Sequence, residues 1–210
     1  MMATVERRGL KRTNDPDGLR RRLLDVAFDA FQRTGYHATS IHDVMRLGGA
    51  TGGALHHHFP TKKALGLGVL NERVAQAVEA TWIAPVTGAA SARQGILDVF
   101  DTIATDLERQ GGVRGCPLNN LALELSLADA EFRMATEAIF QRWREALVQR
   151  FRADRTDDAD GLATFVVAAY SGAMAMAKAE QSARPLRACA VQLAGLLDRP
   201  GTTTNDSQGR

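Results

Sequence analysis

The chain has 210 residues, 45% of them hydrophobic and 24% charged, a balance ordinary for a globular protein able to bury one or two modest cores. The apolar runs are interrupted short of membrane-spanning length, no apolar segment follows the basic N-terminus as a secretory signal requires, and Cys116 and Cys189, the only cysteines, suit neither a disulfide scaffold nor a zinc ribbon, so reduced thiols and a cytoplasmic protein are expected. The net charge of +2 hides a segregation: residues 1–70 hold 11 Lys/Arg against 6 Asp/Glu and all 5 histidines, residues 71–210 hold 15 against 18, which suits either a polyanion partner for the N-terminal part or a solvated basic terminus.

Helical periodicity runs from end to end and strand signals are nearly absent, so the expected fold class is all-α with about nine helices. Residues 1–16 read as a basic, flexible arm carrying Arg7, Arg8, Lys11 and Arg12. Leu23, Leu24, Ala27, Phe28, Ala30 and Phe31 then mark an amphipathic helix, opened by Asp15-Pro16 and closed at Gly35. Thr39 or Ser40 caps a short helix with Ile41, Val44 and Met45. Gly48-Gly49-Ala50-Thr51-Gly52-Gly53 breaks the pattern, and Thr51 opens a second short helix that Phe59-Pro60 ends. From Thr61 a long helix carries Leu65, Val74, Val78 and Trp82 on one side and stops near Pro85.

Beyond the small-residue break at 87–91, Ile96, Phe100, Ile103 and Leu107 predict a helix that Gly111-Gly112 ends. Gly115-Cys116-Pro117 leads into an apolar segment from Leu118 to Leu127, and Phe132, Ile139, Trp143 and Leu147 mark the next long helix. The last two helices are expected over 162–180 and 185–197, followed by a disordered tail at 200–210.

His37 to Phe59 is too short to bury a core alone and needs the flanking helices to close a small bundle. Helix, glycine-containing turn and short helix is the arrangement that lays a recognition helix in the major groove. Thr51, Gly52, Gly53 and Ala54 give that helix a small face for close approach, and His56 and His57 supply groups that reach bases or phosphates. Consecutive histidines point about 100° apart on a helix, so His56-His57-His58 does not suit one metal ion. The glycines lack the Lys-Ser/Thr of a phosphate-binding loop, and no cofactor is expected.

Gly35-Tyr36, Thr39-Ser40-Ile41, Leu55 with His57-His58-Phe59, and Lys62 with Ala64-Leu65 together resemble the helix-turn-helix signature of the TetR family of regulators. The resemblance is strong over 17–77. It implies an N-terminal three-helix DNA-binding domain there and an effector-binding and dimerisation domain over 78–199. It implies Thr39 and Lys62 as phosphate contacts, and Thr51, Gly53, His56 and His57 as recognition-helix contacts. Gly52 stands where the family commonly has a polar residue and His56 where it commonly has Tyr, which points to an unusual operator or to a lower affinity.

The run Ala168 to Ala177 is unusually small and Ala188 to Leu197 alternates small with large, which suits either a two-helix dimer face or a tightly packed internal pair. Pocket candidates are Trp82, Phe100, Met134, Phe140, Trp143, Phe165, Tyr170 and Met174, most of which suit plain core equally well, with Asn119, Asn120 and Glu124 as polar handles. Cys116 stands at a predicted helix start, where it is either a redox switch or an inert core thiol. No paired carboxylates or nucleophile–base set stands out and no histidine follows His58, so catalysis is not expected. With the resemblance, these patterns imply a homodimer, joined through its last two helices, that binds a palindromic duplex DNA operator, with repression as the family's default and activation as the alternative. A small apolar or aromatic effector releases it, or alternatively oxidation of Cys116 does.

Overall fold

Asp15 and Pro16 open the first helix by complementary means. The Asp15 carboxylate accepts from the Gly18 amide at 2.8 Å, and Pro16, with no N–H to leave unpaired, occupies the first turn. The structure, a computed structural model, describes residues 15–198. The arm's Arg7, Arg8, Lys11 and Arg12 and the tail at 200–210 lie outside the described residues.

Helix α1 (Pro16–Thr34) buries Leu23, Leu24, Ala27 and Phe31 and stops at Gly35, whose φ of 86° suits a residue without Cβ. Helix α2 (Ile41–Leu47) is capped by Ser40, whose hydroxyl accepts from the His42 amide, and α3 (Gly52–His58) by Thr51. In the turn between them Gly48 lies against Leu23, where a Cβ would come 2.8 Å from Leu23 Cδ2, and Gly49 takes a φ of 65°.

Helix α4 runs unbroken over 62–88, with two stretches, Leu70–Val74 and Glu79–Ile83, wound as π-turns. It does not stop near Pro85 as expected. The π-turn just upstream has already shifted the hydrogen-bond register that Pro85 would otherwise interrupt. Then follow α5 (Ala92–Gln110), α6 (Pro117–Leu125), α7 (Ala130–Ala153), α8 (Ala159–Glu180) and α9 (Arg184–Leu197). Counted this way there are nine helices, and no strand, among the described residues.

Helix α8 packs on α7 and α9, α9 on α5, and α6 on α7, with the upper half of α4 closing the bundle. The core is continuous through the junction with the N-terminal helices. There the Tyr36 ring meets Phe31 and, from α7, Phe132, each with centroids 5.2 Å away. Gly66 of α4 makes the room: a Cβ on it would fall 2.7 Å from the Tyr36 ring and 2.8 Å from Phe132. By length and composition α8 is apolar enough to cross a membrane, against the expectation from sequence. In the fold it is a bundle helix whose Val166, Val167, Tyr170 and Met174 are buried against neighbouring helices.

Candidate DNA-reading face and effector cleft

The short helix α3 presents Thr51, Gly52, Gly53, His56 and His57 to solvent, while Leu55 and Phe59 anchor it in the core. Its glycines are not demanded by packing: a Cβ on Gly52 or Gly53 would meet nothing within 4 Å. The Thr51 hydroxyl accepts from the Ala54 amide at 3.3 Å, so its first task is to hold the helix start. Thr39 departs from expectation. It is buried, and its hydroxyl donates to the Gly35 carbonyl at 2.7 Å, so the side chain locks the turn before α2 instead of facing a phosphate. Lys62 is half-buried, its ammonium lying 4.7 Å from the Tyr36 ring centroid and donating to the His37 carbonyl at 3.0 Å. Burial pushes its pKa down.

Behind this face, α6 is tied to the N-terminal helices at two points one helical turn apart. The Glu124 carboxylate accepts from the backbone amides of Tyr36, at 2.9 Å, and His37, at 2.7 Å. Asn120 donates through Nδ2 to Gln32 Oε1 of α1 at 3.0 Å and to the Arg114 carbonyl at 2.9 Å. Alongside, Lys63 of α4 pairs with Asp129 and Glu131 at the start of α7, which hold its pKa up.

Between α6 and α8 lies an open cleft of about 470 Å³, walled by Ala122, Leu123, Phe140, Met174 and Ala175. Its polar groups are Asn119, Asn120, Ser171, Lys178 and the thiol of Cys116. Ser171 donates to Asn119 Oδ1 at 3.2 Å, which fixes α6 against α8, and Lys178 Nζ donates to Asn120 Oδ1 at 3.2 Å.

Of the pocket residues expected from sequence, Asn119, Asn120, Phe140 and Met174 line this cleft together. Trp82, Phe100, Trp143 and Tyr170 do not. They pack on one another as an aromatic cluster, edge to face except for the tilted Trp82–Trp143 pair, with centroids 4.8–5.9 Å apart, and the cavity that Trp82, Trp143 and Tyr170 border is only about 40 Å³. Met134 and Phe165 are 58% and 50% exposed, on outer faces of α7 and α8, because helical period alone does not tell an inner stripe from an outer one. Glu124 is a bracket to the N-terminal helices, not a handle in the cleft. Cys116 is buried between the cleft and the aromatic cluster, and burial pushes its thiol pKa up against the smaller pull of the α6 backbone amides. The field of the helix start does not win there.

Sequence reasoning missed Gln32, Lys178 and the Glu124 contact. The available signal was the four-residue step from Asn120 to Glu124, which puts two polar groups on one face of an otherwise apolar helix. Lys178, a lone cation near the end of the apolar α8, was a second such signal.

Comparison with known proteins agrees with this architecture. Residues 23–67 match the model of the bacterial regulatory proteins of the tetR family, and residues 92–192 match the LmrA/YxaF-like transcriptional regulator C-terminal domain. An uncharacterised helix-turn-helix-type transcriptional regulator of Mycobacterium tuberculosis is 30% identical over 191 residues, covering 86% of this chain and 94% of that one. The regulator LmrA of Bacillus subtilis is 24% identical, covering 86% and 97%. The crystal structure of a TetR transcriptional regulator from Chloroflexus aurantiacus superposes with a TM-score of 0.75 at 26% identity, covering 89% of this chain and 98% of that chain. With its helix-turn-helix exposed on one side and an all-helical body behind it, the chain belongs to the TetR family of DNA-binding transcriptional regulators.

Proposed function

We propose that the protein is a homodimeric repressor that holds a palindromic operator and releases it when a small molecule enters the cleft between α6 and α8. The observation that carries this is the double tenancy of α6. Asn120 both lines the cleft and holds Gln32 of α1, and one turn later Glu124 holds the Tyr36 and His37 amides. A ligand that prefers a shifted α6 therefore also prefers a shifted α1 and α3, and so disfavours the half-site spacing a palindrome requires. Thr51, Gly52, Gly53, His56 and His57 form the reading face, and Lys62 adds a cation at its edge.

Two further features support the reading. Phe165, Met176 and Val191 leave apolar surface exposed on α8 and α9, which suits pairing with a second copy. A relative named a transcriptional repressor, DhaR of a Mycobacterium species, is 26% identical over 182 residues. The redox alternative is the weaker one, since a buried thiol with a raised pKa carries little thiolate. Sequencing the fragments of its own genome that the protein retains tests the proposal. An inverted repeat is expected; retention without any shared sequence would replace it with a non-specific binder.

A further inference from the structure

Building on the reading of the α6–α8 cleft as the effector site, we propose that its ligand is an organic anion, an aromatic or aliphatic body carrying a carboxylate whose charged end seats on Lys178. Charge is the first ground. Lys178 is the one charged residue lining the cleft, no acid lines it, and no carboxylate of the described residues pairs with the Lys178 ammonium.

Placement is the second. The Lys178 stem and the Asn120 amide both lie on Gly115, where a Cβ would fall 3.0 Å from Lys178 Cδ and 2.9 Å from Asn120 Oδ1. Gly115 has a φ of 87°, so the loop before α6 is built on a residue that leaves this space open. The stem thereby packs on Gly115, and the ammonium of this exposed side chain reaches Asn120 Oδ1 at the mouth of the cleft.

The third ground is a shortage of acceptors at that end. Asn120 Oδ1 takes one Lys178 proton, and both protons of Asn120 Nδ2 are committed to Arg114 and Gln32. Gln32, only 8% exposed, has an Nε2 with no partner and lines the recess that adjoins the cleft across Asn120, Leu123 and Lys178. Glu124 lines that recess too, but its oxygens already accept from Tyr36 and His37. The Lys178 ammonium therefore has a single, neutral acceptor, and a carboxylate supplies further acceptors with the opposite charge. Phe140, Met174 and Leu123 give the body of the ligand an apolar wall, and a volume of about 470 Å³ lies in the range of small-molecule sites.

Isothermal titration of the full chain with isosteric pairs, 2-naphthoate against 2-naphthamide and octanoate against octanamide, reads the effect of charge alone. At least one carboxylate should bind about tenfold more tightly than its amide, the difference expected between a charged and a neutral hydrogen bond. Lys178→Gln keeps the stem over Gly115 and should abolish that preference, whereas Lys178→Arg should keep it. Phe140→Ala should weaken acid and amide alike. Amides binding as well as acids, with both weakened by Phe140→Ala, would overturn the anion proposal and leave the cleft as effector site. An acid preference that survives Lys178→Gln would overturn it as well. If no pair binds and no carboxylate alters operator affinity, both readings fail.

Discussion

Glu124 is a single side chain that satisfies two backbone amides 87 and 88 residues earlier in the chain. Removing it leaves both donors without their partner, at a cost of about 1–3 kcal/mol for the more buried one. Glu124→Ala should therefore lower the thermal midpoint and, more tellingly, make operator affinity less responsive to the effector. Glu124→Gln, which keeps one acceptor oxygen, should lose less of both. Unchanged effector response in Glu124→Ala would remove the bracket from the mechanism. The buried pair Cys116 and Tyr170 makes a prediction about pH. Burial raises both pKa values from their ordinary 9.0 and 10.0, so both groups keep protons in the folded chain that the unfolded chain gives up in alkali. Their contribution to stability is thus complete below about pH 9 and is lost as the pH rises toward the folded values. Denaturant midpoints should fall from pH 9 upward, and less steeply in Tyr170→Phe. The same burial predicts that peroxide at modest dose leaves operator binding unchanged; release that disappears in Cys116→Ser would favour the redox alternative.

Among the elements, α3 shows a conflict between folding and binding. Gly52 and Gly53 open a helix of only seven residues, have room for a Cβ and sit in ordinary helical backbone, so nothing in the fold requires glycine there. Glycine costs a helix about 0.5–1 kcal/mol relative to alanine. Close approach of this face to DNA, as proposed, would account for that cost. Gly53→Ala should accordingly raise thermal stability slightly while lowering DNA affinity, measured by melting and by filter binding on one preparation. A gain in both would show that α3 does not touch DNA. The helices themselves were largely legible, because the sequence marks their ends with groups whose chemistry is local: Asp15-Pro16, Ser40, Thr51, Gly35 and Gly111. What was not legible depends on partners remote in sequence. Pro85 reads as a stop until the π-turn before it is seen, and Thr39 reads as solvent-facing until the Gly35 carbonyl is found beside it. From sequence the aromatic residues Trp82, Phe100, Trp143 and Tyr170 suit a pocket lining and a core equally well. Only their mutual packing makes them a core, and the cleft moves outward to Phe140 and Met174.

For the whole molecule, the segregation of charge sets how DNA binding should depend on salt. The excess of five positive charges in residues 1–70 is only partly free, since Arg20 pairs with Glu72 and Lys63 with Asp129 and Glu131, acids outside that segment. Arg21 and Arg22 stay exposed on α1 and Lys62 stands at the edge of the reading face. If each subunit neutralises three or four phosphates, a dimer releases counterions to give a slope of log affinity against log salt of about −5 to −7. A monomer would give roughly half that. The apolar faces of α8 and α9 provide the control, because Val191 is 68% exposed on α9, a helix that packs on α5 and α8. Val191→Arg should place a charge in the dimer seam, shift sedimentation toward the monomer, and both weaken operator binding and flatten its salt slope. Those three changes must occur together if symmetry is what matches the protein to a palindrome. A sedimenting monomer that keeps full affinity and a steep slope would mean that one reading head suffices, and that α8 and α9 face something other than a second copy.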